Sequence, residues 1–149
     1  MKKIWFLLIL PVVVLSCKKS SVDQAKLDHE TILKYIKDSS LVADSTASGL
    51  YYVIADSGSG VQPNSLSYVT IYYKGYLTNG TVFDQTSGTP ASLLLYQVIS
   101  GWTEGLQKIK KGGKIKLLIP SALGYGTTSH GSIPANSVLI FDIELINVQ

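Results

Sequence analysis

From residue 68 to 77 the chain alternates without a break. Val69, Ile71, Tyr73, Gly75 and Leu77 fall on one side, and Tyr68, Thr70, Tyr72, Lys74 and Tyr76 on the other. A period of two is the signature of a strand, and it makes the two sets mutually exclusive: one faces the core and the other faces out. The pattern returns at residues 114–120, where Ile115, Leu117 and Ile119 align. It is clearest at residues 138–148, with Leu139, Phe141, Ile143 and Leu145 opposite Asp142 and Glu144. Residues 50–55, rich in Tyr, Val and Ile, predict a further strand closed by the turn Gly58-Ser59-Gly60, and Asn79-Gly80 marks a tight turn. The period changes at Trp102, Leu106 and Ile109, which share one helical face, and Gly112-Gly113 predicts the end of that helix. Short antiparallel strands with one helix that buries its apolar face predict an α+β domain. No internal repeat interrupts it.

Ahead of the β region, residues 23–38 predict a helix, with acids early and lysines late as the helix dipole favours. Its apolar residues, Ala25, Leu27, Ile32, Leu33, Tyr35 and Ile36, form no single stripe. We expect this helix to dock on the domain, with weak self-association as the alternative. Tyr68, Tyr72 and Tyr76 are either its seat or an exposed patch for another chain. Residues 39–48, rich in Ser, Asp and Ala, predict a linker.

The first residues follow a different logic. Lys2 and Lys3 precede an apolar run from Ile4 to Leu15, too short to span a bilayer, which ends at Val14-Leu15-Ser16-Cys17. This predicts a secretory signal over residues 1–16. The chain's one cysteine sits where bacterial lipoprotein signals place theirs, so a resemblance to such signals implies a lipid-attachment site at Cys17. Residues 17–22 then serve as a tether, 23–47 as helix and linker, and 48–149 as the main domain. The expected location is the cell envelope, on the outer membrane facing the periplasm.

Composition narrows the chemistry. The 13 basic residues are all lysines, which leaves no arginine for bidentate contacts to phosphate or guanine and disfavours nucleic-acid binding. The net charge of +3 falls close to neutral once Lys2 and Lys3 leave with the signal. His29 and His130 have no second histidine or cysteine nearby, so no metal site is expected. Lys108, Lys110, Lys111, Lys114 and Lys116 form a cluster that is either a solvated rim or an attraction to anionic surfaces. Neither a nucleophile-elbow serine motif nor a phosphate-binding loop is present.

Three stretches carry the functional signal. They are Tyr72-Tyr73-Lys74-Gly75-Tyr76 running on to Val82-Phe83-Asp84; Val98-Ile99-Ser100-Gly101-Trp102; and Gly124-Tyr125-Gly126 through Ile133-Pro134 to Phe141-Asp142. In this order and spacing they resemble the FKBP-type peptidyl-prolyl cis-trans isomerases over residues 48–148. The resemblance implies a twisted antiparallel sheet half-wrapped round one short α-helix. It also implies an aromatic cup that acts on proline-containing polypeptides and is open to macrolide inhibitors, with no cofactor, in a monomer.

Residue by residue, the resemblance implies that Trp102 is the floor and that Tyr73, Phe83, Val98, Ile99, Ile133 and Phe141 line the walls. The Ile99 N–H is expected to meet a ligand carbonyl and the Tyr125 hydroxyl the substrate backbone. Asp84 is the single acid at the edge. Tyr73, Phe83, Asp84, Tyr125 and Phe141 are assigned to catalysis, and Val98, Ile99, Trp102 and Ile133 to substrate binding. The chain departs from its relatives at Ala91, where an aromatic wall residue is frequent, and at Ser132, where the flap is commonly apolar. These departures keep a non-catalytic proline-binding module or chaperone open as the alternative.

Overall fold

The computed structural model describes residues 21–149. The expected signal segment 1–16 and the expected lipid-attachment site Cys17 lie outside the described residues. The order of elements is α1 (Ser21–Asp38), β1 (Asp44–Ser45), β2 (Tyr51–Asp56), β3 (Tyr68–Leu77), β4 (Val82–Gln85), β5 (Ala91–Leu94), α2 (Ser100–Leu106), β6 (Lys114–Ile119) and β7 (Leu139–Val148). Single 3-10 turns lie at Leu95–Gln97 and Ser121–Leu123. The strands form one antiparallel sheet in the order β1-β2-β6-β7-β3-β4, and β5 also pairs with β3.

Alternation in the sequence becomes two faces. Val69, Ile71, Leu117, Ile119, Leu139 and Leu145 are fully buried against Leu106 and Ile109 of the α2 region. Two glycines let the helix lie close to the sheet: a Cβ on Gly105 would fall 2.5 Å from Leu117 Cδ2, and one on Gly101 would fall 2.6 Å from Ile119 Cγ2. The same glycines are poor helix formers, and α2 is correspondingly short. It ends at Leu106 and passes through a turn in which Lys108 N bonds Gly105 O. Ile109, expected on the helix, lies just past it and is still buried.

The outer face carries a ladder of opposite charges. Lys74 and Lys116 both stand beside Asp142 in register, and Lys114 beside Glu144. Lys116 is ion-paired with Asp142, Lys114 meets Glu144 at 3.6 Å, and Lys108 lies 5.0 Å over the Tyr52 ring. Three of the five clustered lysines therefore have local partners.

Helix α1 interrupts the solvent on that face. Ile32 packs with Leu118 and Val138 in a second small core, flanked by Tyr35, Ile36 and Tyr51. Leu118 and its cross-strand partner Ile140 are fully buried, although both point away from α2. The docked arrangement is thus the one observed, but its seat differs from the three tyrosines considered. Only Tyr76 takes part, through Tyr35; Tyr68 is exposed, and the Tyr72 hydroxyl faces Gly88 O at 3.4 Å. The expected linker contains β1, which pairs with β2 through Asp44 and Ser45.

Candidate active site

The site lies where β3, β4, β7 and the start of α2 converge. Tyr73 is the inward residue at the middle of β3, in register with Ile143 of β7. Phe141 points inward from β7 opposite Gly75. A Cβ at Gly75 would lie 2.5 Å from Phe141 Cε1 and 2.6 Å from Phe83 Cε2. The missing side chain is what allows the two phenyl rings to meet. They do so edge to face, with centroids 5.4 Å apart.

Trp102 lies beneath them. Its ring centroid is 5.0 Å from both Tyr73 and Phe141, at 74° and 84° respectively, so each contact is edge to face. Such geometry suits the quadrupoles of the rings. Trp102 is 5% exposed and still borders an open cavity of about 540 Å3. Its Nε1 has no hydrogen-bond partner among the described residues. The floor is therefore largely covered by its neighbours, with a small part of the residue bordering the cavity.

The walls of the same cavity bring together all nine pocket residues expected from the sequence. Tyr73, Phe83, Asp84, Trp102 and Phe141 form one side, and Val98, Ile99, Tyr125 and Ile133 complete the rim. Ile99 is the N-cap of α2; its carbonyl accepts from Trp102 N at 2.9 Å and Thr103 N at 3.2 Å. Its own N–H lies before the helical ladder. Ile133 and His130 exchange backbone bonds at 2.9 Å in each direction, which pinches the flap into a tight loop.

Asp84 is exposed at the rim and forms no salt bridge among the described residues. The Tyr73 hydroxyl donates to its Oδ2 at 2.6 Å. Burial, reinforced by that bond and by the charge of Asp84, pushes the Tyr73 hydroxyl up to about 12. Tyr73 is thus a fixed donor that holds the carboxylate at neutral pH. The Tyr125 hydroxyl is likewise raised, first by burial and then by the Asp84 charge. The cup consequently has apolar walls and one oriented carboxylate.

Two contributors were not singled out from the sequence. Leu93 and Gln97 border the cavity beside Ala91. Leu93 follows Ala91 by two on β5 and so shares its face, a signal present in the pattern. His130 stacks on Tyr125 with centroids 4.3 Å apart and planes 6° from parallel, which no spacing rule foretells. A second depression, of about 530 Å3, lies on the sheet flanked by Lys74, Lys114, Lys116, Asp142 and Glu144. Its charges largely satisfy one another, and it lacks the cluster of rings.

Comparison with known proteins agrees with this geometry. Residues 60–146 match the family described as FKBP-type peptidyl-prolyl cis-trans isomerase. The chain is 52% identical over 107 residues to the FKBP-type peptidyl-prolyl cis-trans isomerase FkpA of Buchnera aphidicola from Schizaphis graminum, covering 70% of this chain and 42% of that protein. It therefore spans less than half the length of that relative. The crystal structure of FkpA from Escherichia coli superposes with a TM-score of 0.76 at 41% identity, covering 86% of this chain and 62% of that one. A peptidyl-prolyl cis-trans isomerase from Pseudomonas syringae pv. tomato gives a TM-score of 0.75 at 32% identity, covering 87% and 96%. With the profile spanning more than half of the sequence, and the sheet, helix and aromatic cup arranged as they are, this chain belongs to the FKBP-type peptidyl-prolyl cis-trans isomerase family.

Proposed function

We propose that the chain is a peptidyl-prolyl cis-trans isomerase that acts on exported polypeptides by twisting the Xaa-Pro imide in its aromatic cup. The observation that carries this reading is the open cavity lined together by Trp102, Tyr73, Phe83 and Phe141, whose rings meet edge to face. The barrier to imide rotation is about 18–20 kcal/mol, because the C–N bond has partial double-bond character. The planar ground state is the more polar one, since resonance places charge on oxygen. A twisted imide has lost that resonance and needs water less. A dry cup therefore raises the planar form relative to the twisted one, and walls shaped to the twisted form add differential binding. Each factor of ten needs only about 1.4 kcal/mol.

Asp84 acts here as a helper. Held by Tyr73, it orients the carbonyl dipole without transferring a proton. Ile99 N–H and the Tyr125 hydroxyl hold the peptide backbone, so the chain on one side of the proline is fixed while the other side turns. A protease-coupled assay on an Ala-Leu-Pro-Phe peptide tests the activity. Acceleration over the uncatalysed rate is expected. Binding of the peptide with no acceleration would favour the module or chaperone reading, to which the small wall residue Ala91 lends support.

The same proposal places the protein at the cell envelope as a monomer, lipid-anchored through Cys17 on the outer membrane and facing the periplasm. Its support is the basic and apolar leader ending at Ser16-Cys17. Incorporation of labelled palmitate, abolished by Cys17→Ala, is the expected result. Sedimentation of the purified chain tests the monomer.

A further inference from the structure

A buried carboxylate with no cation beside it calls for an explanation. Asp28, on α1, is 2% exposed, and none of the salt bridges among the described residues includes it. Removing a carboxylate from water is costly unless hydrogen bonds replace the lost hydration. They do. The Ser121 N–H donates to Asp28 Oδ2 at 2.7 Å, the Ser121 hydroxyl donates to the same oxygen at 2.6 Å, and Gln24 Nε2 donates to Oδ1 at 2.7 Å. Docking of α1 alone does not require this, because Ile32, Leu118 and Val138 already supply an apolar seat.

What Asp28 grips is the root of the loop that carries Tyr125. The Ser121 carbonyl accepts from Gly124 N at 3.0 Å and from Gly126 N at 2.8 Å, bracketing Tyr125 on both sides. Gly126 O in turn accepts from Asn136 N at 2.8 Å, which ties the far end of the flap to the same point. Gly126 takes a positive φ of +61° freely, whereas Asn136 at +59° is a non-glycine residue in the left-handed region, a conformation that its surroundings help to hold. The Asp28–Ser121 clamp fixes Ser121 on one side of the loop, and Tyr125 faces the cup on the other.

We propose that Asp28 is a positioning residue of the isomerase site: through Ser121 it sets the loop that aims Tyr125 at the substrate, which makes α1 a working part of the site. This rests on the isomerase reading above, and turnover by the unaltered chain tests that reading separately. The hydroxyl of Tyr125 holds the substrate backbone in planar and twisted forms alike, so its misplacement weakens binding more than it slows the turning step.

The test uses the full chain in mild detergent, with kcat and KM measured on the Ala-Leu-Pro-Phe peptide and normalised to the folded fraction by circular dichroism. Asp28→Ala is expected to lower kcat/KM roughly fivefold, well inside the loss that a small misplacement can cause, with most of the change in KM. Asp28→Asn keeps an acceptor for Ser121 and is expected to recover at least half of that loss. In a Tyr125→Phe background the effect of Asp28→Ala should largely vanish, because the two changes act on one contact. Ser121→Ala, which keeps the N–H donor, provides a milder version if Asp28→Ala fails to fold. Unchanged KM in folded Asp28→Ala or Ser121→Ala, or an undiminished effect in the Tyr125→Phe background, overturns the proposal.

Discussion

Replacing Gly75 by alanine adds one methyl group at the point where two walls of the cup touch. The new Cβ would stand 2.5 Å from Phe141 Cε1, 2.6 Å from Phe83 Cε2 and 2.9 Å from Phe83 Cζ. Carbon atoms prefer about 3.5–4.0 Å, so each ring must retreat by about 1 Å. Overpacking of this kind costs about 1–3 kcal/mol. Taking about 2 kcal/mol, the midpoint of thermal unfolding should drop by roughly 6–12 °C, given about 3–6 °C per kcal/mol for a domain of this size. The site suffers more than the fold, because both displaced rings are walls that must fit a twisted imide. A misplacement of about 1 Å can cost up to roughly a hundredfold, and we expect kcat/KM to fall by about 10- to 100-fold. Gly80→Ala is the control. It adds a methyl in open space at a φ of +86° and should destabilise by about 1 kcal/mol, with turnover unaltered. The assay is protease-coupled isomerisation well below either midpoint, beside thermal melts. If Gly75→Ala retains kcat/KM within twofold while folded, the rings do not shape the transition state and the reasoning fails.

Three further outcomes follow from the same geometry. Asp84→Asn keeps the shape of the rim but removes its charge, and kcat/KM should fall by about tenfold, an electrostatic contribution of about 1.4 kcal/mol, with an unchanged melting temperature; an effect below twofold would remove Asp84 from the mechanism. The Tyr73 hydroxyl is raised to about 12 in the folded protein from an ordinary value of 10.0, so the folded state binds this proton more tightly than the unfolded one. Its contribution to stability is whole below pH 10 and declines as pH rises toward 12; denaturant melts between these limits should fall less steeply in Tyr73→Phe than in the wild type. Ala91→Phe restores an aromatic wall to a cavity of about 540 Å3, and partial burial of the ring should tighten binding of an FKBP-directed macrolide by roughly tenfold. Calorimetry checks this, and weaker binding would show that the cup is already closed on that side.

The sheet and the cup were legible in the sequence for different reasons. Period two at Tyr68–Leu77 and Leu139–Val148 assigns every side chain to a face before any contact is known, which places Tyr73 and Phe141 inward. That these inward rings and Trp102 line a cup rather than plain core came only from the resemblance of three stretches to the FKBP-type isomerases. What could not be read were contacts between segments remote in the chain that leave no periodic trace. Leu118 and Ile140 lie on the nominally solvent face and are buried only because Ile32 covers them. The seat of α1 therefore fell elsewhere than on Tyr68 and Tyr72. The stacking of His130 on Tyr125 and the grip of Asp28 on Ser121 are single long-range encounters of the same kind. Ile109 stayed buried beyond the helix because a turn, too, can point a residue inward.

Leu139–Val148 is a middle strand of the sheet, inserted between Lys114–Ile119 and Tyr68–Leu77, and it brings Phe141 to the cup. The cup is therefore assembled from partners some seventy positions apart. Such non-local pairing makes self-assembly slow, because loop closure precedes any stabilising contact. A nascent chain that has not yet emerged as far as this strand lacks both the link between the two halves of the sheet and the Phe141 wall of the cup. A protein proposed to hasten the maturation of others would thus become competent only once this strand has paired.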